Sequence, residues 1–121
     1  MNFDLTWDTY DFHTNEAYAV EAQHQKHLDK YYSFIEKNPN SSLESKLRIR
    51  QTINNSFDKI ISVYCKQIQS ISEILDCHNK GEDILKDREV ELQTLMDLKS
   101  VTTNLLAEVK NYQIEINNFL R

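Results

Sequence analysis

Apolar residues recur every three or four positions through most of this 121-residue chain, and three helical segments follow from where that recurrence starts and stops. The first is expected over about 15–37. Ala17, Val20, His24, Leu28, Tyr31 and Ile35 form its inner stripe, Tyr32 and Phe34 widen it, and Thr14 stands where an N-cap belongs. Pro39 disfavours helix at Asn38, so the polar run 38–42 reads as a connection. The second helix is expected over 42–79, opened by a capping box between Ser41 and Glu44. It carries a broad stripe of Leu47, Ile53, Phe57, Ile60, Ile61, Tyr64, Ile68, Ile71, Ile74 and Leu75, and Gly81 supplies the left-handed residue that closes a helix. The third is expected over 82–121. Its seam is a heptad, with Leu95, Thr102, Val109 and Ile116 at one position and Leu98, Leu105, Tyr112 and Phe119 at the other.

The second and third segments have matched lengths of about 57 and 60 Å and a short turn between them, which predicts an antiparallel, coiled-coil-like hairpin. Pairing about that turn sets Leu75 near Asp87, Tyr64 near Leu98, Phe57 near Leu105, Ile53 near Val109 and Leu43 near Phe119. The shorter first helix, about 35 Å long, reaches only the half nearest the chain termini. Ile68, Ile71, Ile74, Leu75, Ile84, Leu85, Leu92 and Leu95 are then left as an uncovered apolar face, expected to bind a partner helix or a second copy. The expected fold is therefore all-α: a long hairpin with a third, N-terminal helix, completed into a bundle by oligomerisation.

Residues 1–13 read differently from the domain over 14–121. Phe3, Leu5 and Trp7 alternate with period two, and together with Tyr10 and Phe12 they are interleaved with Asp4, Asp8 and Asp11. The alternation predicts an extended acidic and aromatic arm. Such an arm either folds back on the helices of its own chain or docks in a groove of another protein.

Composition narrows the function classes. Glycine and proline number one each, where average usage would supply about 14 in total, so the turn-rich β and βαβ folds and glycine-rich phosphate loops are excluded. A net charge of −5 argues against binding to a nucleic-acid backbone. No apolar run has the length of a membrane span, and acids stand where a signal peptide carries bases, so a soluble, cytoplasmic protein is expected, with no membrane insertion.

Chemistry-bearing residues are sparse. Glu21 and His24 form a Glu-x-x-His pair on one helix face, but a di-metal bundle site needs a second such pair, and His78 has no acid three residues before it. Cys77 and His78 are adjacent, and neighbours on a helix diverge by about 100°. Cys65 and Cys77 lie about 18 Å apart along one helix, too far to bond, and read as reduced packing residues. Lys46, Arg48 and Arg50 read as solvated surface, since residues two apart do not share a face.

These features lead to a non-enzymatic helical interaction module, an adaptor, complex subunit or secretion-type chaperone without a cofactor or metal. Its expected partner surface is Phe3, Leu5, Trp7, Tyr10 and Phe12 of the arm together with the uncovered hairpin face. The alternative is a small helical-bundle enzyme or a metal or redox sensor built on Glu21, His24, Cys77 or His78.

Overall fold

The computed structural model describes the backbone of residues 3–119 and the side chains of residues 6–118. The described chain is all-helical: α1 is Phe3–Lys37, α2 is Leu43–Asn79 and α3 is Leu92–Phe119, with a single 3-10 turn at Lys86–Arg88. α2 lies in the middle and packs against both of the others. Both pairings are antiparallel, as shown by Tyr64 on Glu21 and Ser56 on His24 for α1, and by Asn54 on Asn117 and Phe57 on Tyr112 for α3.

From Phe3 onward the expected arm is the first part of α1, and this corrects the extended reading of the arm over residues 3–13 and the helix start near 15. The reason is a heptad that runs unbroken from Trp7. Trp7, Thr14, Glu21, Leu28 and Ile35 occupy one seam position and Tyr10, Ala17, His24 and Tyr31 the other, and none of the nine is exposed. Polar residues at Thr14, Glu21 and His24 interrupt the apolar signal without interrupting the helix. Thr14 is an interior residue and not a cap, and its hydroxyl finds no partner.

α1 is 35 residues long, about 52 Å, so it spans nearly the whole of α2. Three apolar clusters follow along the long axis. Trp7, Ile71, Ile74, Cys77, Ile84, Leu85 and Leu95 fill the end near the α2–α3 linker. Ala17, Ile60, Val63 and Tyr64 fill the middle, and Leu28, Tyr31, Ile53, Phe57 and Ile116 the other end. α1 contributes to all three, so the half expected to lie bare is covered from within the chain.

α2 is capped by Ser42, whose hydroxyl accepts from Ser45 N–H at 3.2 Å. The expected box between Ser41 and Glu44 does not form, because Glu44 instead pairs with Arg48 at 2.6 Å, one turn on. At its other end Gly81 has φ +87°, Gly81 N–H donates to His78 O and Glu82 N–H to Cys77 O, the paired bonds of a Schellman ending.

α3 begins at Leu92, ten residues later than expected. Ile84 and Leu85 are buried under Trp7, and Ile84 O accepts the indole N–H at 3.1 Å. In a helix begun at 82 that carbonyl would be committed to Arg88 N–H, which here donates to Leu85 O within the 3-10 turn. Glu89, left-handed at φ 51°, completes the reversal. The linker therefore consumes residues assigned to helix, and the α2–α3 register moves by one heptad: Phe57 meets Tyr112, at a ring separation of 5.9 Å, where Leu105 was expected. A whole-heptad displacement keeps the seam. Leu95, Thr102 and Ile116 are buried and Val109 half-buried, whereas Leu98 is exposed and Leu105 and Tyr112 half-buried. The Phe119 side chain, and with it the expected Leu43–Phe119 layer, lies outside the described residues.

Candidate helix-binding groove

The residues expected to bind a partner divide sharply. Trp7, Ile71, Ile74, Ile84, Leu85 and Leu95 are core, Trp7 with only 4% of its surface exposed. Tyr10, Ile68 and Leu75 are half-buried. Phe12 and Leu92 alone are exposed, at 62% and 39%. The side chains of Phe3 and Leu5 lie outside the described residues. The expected hairpin surface is thus replaced by an internal contact: Trp7 is large enough to cover it, and α1 begins early enough to place it there.

An apolar cleft lies elsewhere, between the two outer helices. Among the described residues, no Cα of α1 comes within 8 Å of a Cα of α3, so these helices meet only through long side chains. Near the α1–α2 connection and the end of α3 the space between them is a cleft of about 310 Å³ lined by Tyr31, Tyr32, Ile35, Tyr112, Glu115 and Ile116. Its walls are held from behind. Tyr112 stands edge-on to the buried Phe57, and Tyr31 stands edge-on to Tyr32 at 5.2 Å. Burial, with Tyr32 close by, raises the Tyr31 pKa, so its phenol is neutral at physiological pH. Tyr32 remains 48% exposed at the cleft mouth.

Helical spacing extends these walls. On α3, Leu105 and Val101 stand two and three turns before Tyr112 on its face, and Val101 is 54% exposed. On α1, Tyr18 stands four turns before Tyr32 and is also exposed. The sequence carried a sign of this groove in Tyr32, which widens the α1 stripe beyond what one packing partner needs. Tyr112 and Ile116 read only as seam residues, because the groove depends on how far apart α1 and α3 stand.

The residues of the enzymatic alternative are engaged structurally. Ser56 Oγ lies 2.6 Å from His24 Nδ1, and the His24 ring stands edge-on to Phe57 at 4.6 Å. Burial, and secondarily His27, lowers the His24 pKa from 6.5, so the ring is neutral near neutral pH. Glu21 Oε1 accepts from Tyr64 O–H at 2.8 Å; burial first and then this carboxylate raise the tyrosine pKa. Cys77 is fully buried, and burial followed by its bond to Glu82 raises the thiol pKa, the direction opposite to that of a reactive cysteine. His78 is half-buried in the last turn of α2, Cys65 is exposed, and neither cysteine is joined in a disulfide.

Among the described residues, no three His, Cys, Asp or Glu side chains are grouped to hold a metal ion, and no helix is long and apolar enough to cross a membrane. No protein-family model matches the chain, and neither does a curated protein or a solved structure.

Proposed function

We propose that this chain is a helical interaction module without catalytic activity, an adaptor, complex subunit or chaperone that receives a helix of another protein in the groove between α1 and α3. The observation that carries this reading is the tyrosine-lined cleft, apolar except for Glu115 and the phenol groups, set between two helices whose backbones stand apart. A fourth helix laid there would complete the arrangement of a four-helix bundle, and an amphipathic helix seated in an apolar groove is a recurrent mode of recognition. The half-buried ring of Tyr112, beside the buried Tyr31, is the anchor around which such an interface would be organised.

The test is affinity capture from the native host with the wild-type chain and with Val101→Glu side by side. Val101 is exposed, so the substitution leaves the core untouched. A co-purifying protein held by wild type and released by Val101→Glu supports the groove. Retention of every co-purifying protein by the variant refutes it.

A further inference from the structure

The groove's rims carry charge of one sign, and this specifies the chemistry of the occupant. Tyr32 and Tyr112 line the same cleft, so residues at helical spacing from each flank it. On α1 the charged residues so placed are Asp29 and Glu36, Glu21 being held by the Tyr64 hydroxyl in the α1–α2 seam; on α3 they are Glu108 and Glu115. No lysine or arginine shares those faces. Lys30 lines a separate cleft with His27 and Ile49 between α1 and α2, and Lys99 another with Leu75 and Met96 between α2 and α3. Among the described residues none of these four rim carboxylates has a cationic nitrogen within 4 Å, whereas Asp11, Glu16 and Glu44 each do.

Building on the groove reading above, we infer that the occupant is an amphipathic helix of another protein whose apolar face is flanked by lysine or arginine. Its apolar side chains enter between Tyr32, Tyr112 and Val101, and its basic flanks meet the two acidic rims. Charges placed across an interface select partners by complementarity and by repelling the wrong ones. A second copy of this chain is the wrong partner at this face, because two such rims would oppose carboxylate to carboxylate. From Val101 to Glu115 the α3 wall is about 21 Å long, which sets the occupying helix at about four turns.

Three fluorescein-labelled helical peptides of about 18 residues, identical in their leucine face and flanked by lysine, glutamine or glutamate, are titrated with the full chain by fluorescence anisotropy. The lysine-flanked peptide is expected to bind about tenfold or more tightly than the glutamine-flanked one at low ionic strength. The glutamate-flanked peptide is expected to bind weakest, and high salt should compress the three together. Glu108→Lys with Glu115→Lys, both at exposed positions, leaves two acids against two lysines on the rims and should abolish the lysine preference. Glu73→Lys with Asp87→Lys, also exposed but away from the groove, changes the net charge equally and should leave the order intact. Tyr32→Ala should weaken the lysine- and glutamine-flanked peptides together.

Equal affinity for the lysine- and glutamine-flanked peptides, both sensitive to Tyr32→Ala, would leave the groove standing and overturn the inference about charge. An equal loss of the lysine preference in both double variants would overturn it too, as attraction to net charge alone. Binding by no peptide, or binding indifferent to Tyr32→Ala, would overturn the groove reading itself. Binding that appears only after deletion of residues 119–121 would make the chain's own C-terminus the occupant and overturn the inference.

Discussion

Trp7 donates its indole N–H to the carbonyl oxygen of Ile84 across 3.1 Å, joining the start of α1 to the α2–α3 linker. One residue thereby closes the apolar face that the hairpin alone would expose. Arg88, from the same linker, lies over the Trp7 ring at 4.8 Å and reaches both carboxylate oxygens of Asp11. Trp7→Ala removes a ring packed on Ile71, Ile74 and Leu95 and should destabilise by roughly 3 to 5 kcal/mol. Trp7→Phe keeps most of the packing but strands a buried carbonyl, for about 1 to 3 kcal/mol. Urea denaturation followed by circular dichroism measures both. The emission of this single tryptophan should be blue-shifted and shielded from quencher in the isolated protein, and an exposed spectrum would contradict the contact.

Asn54 and Asn117 exchange reciprocal amide bonds of 2.8 and 3.0 Å between α2 and α3. Arg50 Nε donates to the same Asn117 oxygen and Gln113 donates to Asn54 Oδ1, so the group is satisfied only in this alignment. A heptad seam tolerates slippage by seven residues, and a polar pair is the usual means of forbidding it. In a double-mutant cycle of Asn54→Ala and Asn117→Ala the coupling should be about 1 kcal/mol. Additive losses would show that the two amides do not depend on each other.

Helix content and antiparallel order were legible because both depend on local signals: the stripe of α2, the heptad of α3, Pro39 and Gly81. What escaped depends on contacts across the chain. Phe3, Leu5 and Trp7 fit a period of two when read alone, and only Trp7, Tyr10, Ala17 and His24 taken together show the heptad. The linker was read as helix because Glu82 and Asp83 are good first-turn residues; its actual form is set by burial of Ile84 and Leu85 beneath a tryptophan 77 residues away. The groove needed the separation of α1 from α3, which no pattern within one helix encodes.

His24 makes stability depend on pH with a definite sign. Its folded-state pKa lies below the ordinary 6.5 because burial disfavours the charged ring, with His27 adding to the effect. Glu21 lies one turn away on α1, but its Oε1 is occupied by the Tyr64 hydroxyl. Between pH 6.5 and the lowered value the unfolded chain binds a proton that the folded chain does not, so this contribution is fully present above about pH 6.5 and is lost as pH falls. Urea midpoints at pH 7.5 and at pH 5.5 should fall more for wild type than for His24→Gln. Parallel falls would show that the ring is free to protonate in the fold.

The two thiols should separate cleanly in reactivity. Cys65 is exposed on α2 and should react with a chromogenic disulfide at the rate of an accessible thiol. Cys77 is enclosed by Trp7, Ile74 and Ile84, and its pKa is raised by burial and by Glu82, so both access and thiolate fraction are reduced. The native protein should therefore release one equivalent of chromophore quickly and the second only on the timescale of opening, with both immediate in denaturant. Trp7→Ala should accelerate the second phase, because the ring it removes belongs to the enclosure. A fast second equivalent in the wild-type protein would mean that the linker end of the core stands open, and would return Cys77 to consideration as a redox group.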